Sequence, residues 1–101
     1  MIRHIVMWKL KDEALGKTKK ENIAIIKEKL YALKPIIPEI LSMEVHENVN
    51  DADAVASDAV LIMDAEDLEA LERYKNHPEH KKVSAFVKEV RLSRTAVDYI
   101  I

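Results

Sequence analysis

The chain has 101 residues, 49% of them hydrophobic and 34% charged, with one glycine and three prolines; that suffices for one compact core over residues 1–101 and leaves no room for a linker. Its 16 basic and 18 acidic residues sum to -2 and are mixed along the chain, so no face is built for phosphate backbones and nucleic acid is not an expected partner. The absence of cysteine excludes a disulfide framework, thiolate metal ligands and a thiol nucleophile, and fits a reducing compartment.

In chain order, the opening MIRHIVMWKLKDE has an apolar run too short and too charged at its edges for a signal peptide or a membrane span, so a cytoplasmic protein without a membrane partner is expected. Within it, Ile2, His4, Val6, Trp8 and Leu10 alternate with Arg3, Ile5, Met7 and Lys9, the pattern of a first strand over 2–10. Thr18 and Glu21 have capping-box spacing, and Ile23, Ile26, Leu30 and Leu33 follow the helical repeat. A helix over 19–33 follows, ended by Lys34-Pro35 because proline disfavours helical geometry in the residue before it.

Leu41, Met43 and Val45 alternate with Ser42, Glu44 and His46 as a second strand, and Asn48 to Asp58 is polar and turn-like. The run AVLIM at 59–63 is bounded by aspartates and suits a central strand. Asp64 is an N-cap candidate with Asp67 three residues on, and Leu68, Leu71 and Tyr74 share a helical stripe. His77-Pro78 then breaks that helix and starts another, since proline suits the first helical position. There His80, Val83, Val87 and Val90 share a stripe, and the alternation from Thr95 to Ile101 predicts a last strand with Asp98 on the Ala96 face.

This order predicts an α+β, ferredoxin-like split βαβ subunit, a four-stranded antiparallel sheet with helices on one face. Ile5, Met7, Val97, Tyr99 and Ile101 would then make the other face apolar. A second copy of the chain packed through that face, giving a homodimer, is the simplest cover.

If the His4 and Asp98 faces lie under the helices, they meet Tyr74 and His80. Two imidazoles, a phenol and a carboxylate in one apolar pocket make an acid/base site for a small molecule. His80 falls in the first turn of its helix, where the positive end of the dipole disfavours imidazolium. It is the expected base, with Asp98 accepting from one ring nitrogen to orient it and Tyr74 donating to a substrate carbonyl oxygen. Each group also has a structural explanation: His80 packing at a helix start on a backbone group, His77 capping that helix, Tyr74 in the core, His4 half-buried in its strand. Asp98 is hardest to explain that way, because a buried carboxylate without a partner is costly. His77-x-x-His80 also has a spacing seen in metal sites, but Pro78 puts His77 at the cap and a third ligand would have to come from His4 or Asp98, so neither a metal nor a cofactor is expected. His46, on the polar side of the second strand, is assigned no role.

The opening MIRHIVMWKLKDEA, the stretch SDAVLIMDAEDLEALERYKNHPEH and the closing VDY together resemble the stress-responsive A/B barrel (Dabb) family over nearly the whole chain. Most specific is YKNHPEHKKV, which fits Y-x-x-H-P-x-H-x-x-V. The resemblance implies a dimeric α+β barrel of ferredoxin-like subunits. Family members in plants include stress-associated proteins and a polyketide cyclase of the olivetolic acid type, which closes a ring by aldol condensation without a cofactor. Carried over by position, its catalytic pair is Tyr74 and His80, its supporting carboxylate is Asp98, and His4 and His77 match as substrate-binding positions. A further histidine of that cyclase is Ala59 here, and its pocket residues on the first helix differ. The resemblance also implies an alternative, a non-catalytic stress-related dimer with a structural histidine cluster; a third reading, from related barrels, is a monooxygenase or haem-handling protein.

Overall fold

The computed structural model describes residues 1–50 and 56–101. Strand β1, Ile2–Leu10, has the expected bounds and alternation, with Ile2, His4, Val6, Trp8 and Leu10 buried. A two-residue hairpin that the sequence did not suggest follows, β2 (Glu13–Ala14) and β3 (Lys17–Thr18). Its turn holds Leu15 and Gly16 at positive φ, a conformation glycine takes freely and leucine takes only at a steric cost.

Helix α1, Lys19–Tyr31, opens on the expected capping box, in which Thr18 Oγ1 accepts from Glu21 N–H and Glu21 Oε1 accepts from Thr18 N–H. It ends two residues before Leu33, which is buried in the turns that follow. Strand β4, Ser42–Glu47, buries Met43 and Val45, whereas Leu41 precedes the strand and is exposed, contrary to expectation. As an edge strand, β4 has its Val45 N–H satisfied by the hydroxyl of Tyr31 at 2.9 Å. Asn48 N–H donates to Asp58 O across the predicted loop, of which residues 51–55 lie outside the described residues.

Strand β5, Ala59–Ala65, runs two residues beyond the expected AVLIM. Asp64 is therefore a strand residue and not a helix cap. The cap of α2 (Leu68–Asn76) is Asp67, which accepts from Ala70 N–H, and this places Leu68 in solvent while Leu71 and Tyr74 turn inward. Helix α3 is Pro78–Val90, and β6, Arg91–Ile100, begins four residues earlier than Thr95 because Arg91 already has extended geometry directly after the helix.

The main sheet has the order β4-β5-β1-β6 with every neighbour antiparallel. With the three helices packed on one face, this is the ferredoxin-like α+β fold that the element order predicts. Two adjacent rows of side chains run across all four strands. Ser42, Asp64, Arg3 and Tyr99 are successive register partners on the outer face, and Met43, Met63, His4 and Asp98 are successive partners under the helices. Met7, Val97, Tyr99 and Ile101 of the outer face are exposed. Among the described residues, no helix is long and apolar enough to cross a membrane.

Candidate active site under the helices

His4 enters the site from the inner face of β1 and is only 3% exposed. Asp98 is its register partner on β6, so the two side chains meet, and His4 Nδ1 lies 2.5 Å from Asp98 Oδ1. A carboxylate oxygen accepts, so Nδ1 carries the hydrogen and Nε2 keeps its lone pair. Burial lowers the affinity of His4 for a second proton; the Asp98 hydrogen bond and charge work against this, and Lys75 and Arg94 reinforce it.

His80 is placed by the helix break. His77 ends α2 and caps α3, its Nδ1 accepting from Glu79 N–H at 3.1 Å, and Pro78 occupies the start of α3. From the first turn of α3, His80 Nδ1 reaches back to the carbonyl oxygen of Lys75 at 3.1 Å, a group in the last turn of α2 that the helix itself leaves without a partner. A carbonyl only accepts, so this nitrogen is also the protonated one and Nε2 is left as an acceptor. Burial moves the His80 pKa below its usual value, opposed by the Lys75 carbonyl.

The Tyr74 ring neighbours both imidazoles, its centroid 4.4 Å from that of His80 and 6.4 Å from that of His4, the latter edge-on. It is 0% exposed, and its hydroxyl has no hydrogen-bond partner among the described residues. Burial raises its pKa, so it remains a donor at neutral pH. Among the described residues the other buried side-chain atom without a partner is Asn22 Oδ1, which does not line the cavity. A buried hydroxyl left unpaired costs about 1–3 kcal/mol, so the fold by itself does not account for it.

The cavity beside these groups has a volume of about 390 Å³, a size typical of small-molecule sites. His4, Tyr74 and His80 line it together with Val6, Trp8 and Leu61. Two expectations need correction. Asp98 holds His4, its neighbour across the strands, and the Lys75 carbonyl takes the orienting role at His80. His77 was a candidate for substrate binding, but its ring is committed to capping and does not line the cavity. Among the described residues, no three His, Asp or Glu side chains gather closely enough to hold a metal ion.

Sequence reasoning missed Lys75, Lys88, Arg91 and Arg94, which also line the cavity. Their signal was partly present. Arg94 shares strand parity with Ala96 and Asp98, and extending the last strand back by one residue puts it on their face. Arg91, three residues away, belongs on the opposite face by parity. One extra residue in β6, Leu92, opposite the step from Lys9 to Leu10, turns it back to the inner face.

A family model, the stress responsive A/B barrel domain, matches residues 2–101. A comparison with curated proteins returns no match. Among solved structures, a dimeric protein of unknown function from Bacteroides fragilis NCTC 9343 superposes with a TM-score of 0.88 at 30% identity, covering 99% of this chain and 95% of that one. A family protein from Mesorhizobium loti superposes at 0.68 and 23% identity, over 99% and 95% of the two chains. A hydroxynitrile lyase from Passiflora edulis superposes at 0.81 and 16% identity, over 99% and 92%, a likeness of fold.

Proposed function

The chain belongs to the stress responsive A/B barrel (Dabb) family, and we propose that it binds a small carbonyl compound in the cavity under its helices and removes a proton from the carbon beside the carbonyl. The observation that carries this reading is the buried Tyr74 hydroxyl with no partner among the described residues, set against an imidazole whose Nε2 is free to accept. In this scheme Tyr74 donates to the carbonyl oxygen. His80 Nε2 takes the proton from carbon, the C–H electron pair moves into the adjoining C–C bond, and the oxygen gains the negative charge, which the Tyr74 hydrogen bond stabilises. His4, held by Asp98, is a second imidazole lining the same cavity, where its Nε2 can accept from a further oxygen of the ligand. Whether the enolate then recaptures a proton or attacks a second carbonyl depends on the substrate.

Exchange of the acidic hydrogens of an aryl ketone with deuterium oxide, followed by NMR, tests this reading without knowledge of the natural substrate. Wild-type protein accelerates the exchange and His80→Gln lowers the rate by about 100-fold or more. Equal rates for the two proteins would overturn the assignment of His80 as base.

The exposed Met7, Val97, Tyr99 and Ile101 on the outer sheet face, with the dimeric state of the Bacteroides fragilis protein, support a homodimer through that face. Light scattering after size exclusion is expected to give twice 11.6 kDa; a mass of one chain at micromolar concentration would refute it.

A further inference from the structure

In a chain with 18 acids and 16 bases, the cavity is lined by Lys75, Lys88, Arg91 and Arg94 and by no aspartate or glutamate. Lys75 is paired loosely with Glu72 at 3.8 Å. Among the described residues no carboxylate lies within ion-pair distance of Lys88, Arg91 or Arg94. The bulge at Leu92 brings both arginines to the inner face of a strand on which regular alternation would separate them. The rest of the lining is largely apolar, including Val6, Trp8 and Leu61. Arg94 lines the same cavity as His4, Tyr74 and His80.

We propose that the substrate of this site is an organic carboxylate, whose apolar body lies along Val6 and Trp8 and whose charged end meets Arg91 and Arg94. The inference rests on the reading of the cavity as a ligand site and narrows its substrate class. Guanidinium groups match a carboxylate with paired hydrogen bonds, and a cavity lined by one sign of charge raises the local concentration of the opposite sign. Spacing narrows the class further. Arg94 is the register partner of Trp8 and Arg91 that of Leu10, whereas the Tyr74 ring stands 6.4 Å from His4, a residue roughly 13 Å before Trp8 along the strand at about 3.3 Å per residue. Arginine side chains span part of that distance, so the carbonyl and the carboxylate of the ligand are separated by several bonds, as in a keto acid with a chain between the two groups.

The test uses 4-oxo-4-phenylbutanoate and its neutral methyl ester, titrated separately into the full chain by NMR. At low ionic strength the acid is expected to bind about tenfold more tightly than the ester, a preference that shrinks as salt is added. Arg94→Gln and Arg91→Gln are each expected to move the two affinities towards parity; both residues lie on a strand edge, where the change does not disturb the core. Equal binding of acid and ester by wild type, or an acid preference that survives both substitutions, overturns the proposal, and so does failure of both compounds to bind. Deuterium exchange in the same samples separates this inference from the proposed chemistry. An ester that binds as well as the acid and exchanges keeps the base and removes the anion site. An acid that binds preferentially but does not exchange keeps the anion site and removes the base.

Discussion

Arg3 and His4 are neighbours in sequence and point to opposite faces of the sheet, and each meets an aspartate on an adjoining strand. On the outer face Arg3 Nε and Nη2 donate to the two carboxylate oxygens of Asp64 at 2.9 and 3.0 Å, and Ser42 Oγ donates to the same carboxylate at 2.9 Å. On the inner face His4 bonds to Asp98, but the ring beside it belongs to Tyr74, whose hydroxyl has no partner among the described residues. The first cluster is explained by folding alone, since each charged group there is hydrogen-bonded. The second is a polar cluster left unfinished inside the protein, which is the expectation for groups that complete their bonds with a ligand.

Paired substitutions put this contrast to the test. Tyr74→Phe should lower the exchange rate by about 100-fold, as for loss of one donor to a developing oxyanion, while stability stays level or rises by up to about 1 kcal/mol because an unpaired hydroxyl is removed. Asp64→Ala should leave exchange intact and lower stability by about 1–2 kcal/mol, from the hydrogen bonds lost around it. Thermal denaturation of both variants beside wild type, at one protein concentration because an oligomer's melting depends on it, reads the two outcomes. A destabilised Tyr74→Phe would mean that the hydroxyl is satisfied after all and that the two clusters are alike.

Acid titration gives a smaller separation of the same two clusters. The folded-state pKa values of His4 and His80 lie below the ordinary 6.5, so the unfolded chain binds these protons first. Stability tied to them is complete above about pH 6.5 and declines as pH falls through that value towards their lowered folded values. The hydrogen bond from Arg3 holds Asp64 below its ordinary 3.8, so its contribution persists to about pH 3.8 and is lost only as pH falls further. Stability measured against pH should therefore begin to fall in the histidine range in wild type, and His80→Gln should flatten that part of the curve while leaving the acid limb in place. A wild-type curve with no slope between about pH 5 and 7 would contradict the neutral state of the two imidazoles.

Much of the fold was legible because its signals are local. The alternation of β1, the Thr18 capping box and the His77-Pro78 break each depend on residues within a few positions of one another, and each has the bounds that the pattern predicts. Asp64 misled for the same reason: it and Asp67 are both chemically able to cap a helix, and only the register with Arg3 and Ser42 assigns one to the strand and the other to the cap. At the site, parity placed His4 and Asp98 on inner faces, and the helix stripes placed Tyr74 and His80 opposite them.

By itself, then, the sequence determined which residues share a face, because side-chain direction follows from backbone periodicity alone. The tertiary structure decided who meets whom. The His4–Asp98 contact spans 94 positions in the chain, the inward turn of Arg91 depends on one extra residue opposite β1, and the lack of a partner for the Tyr74 hydroxyl among the described residues is a property of what is packed around it. Such facts arise from cross-strand register and burial, which join residues far apart in sequence and so leave no pattern along it.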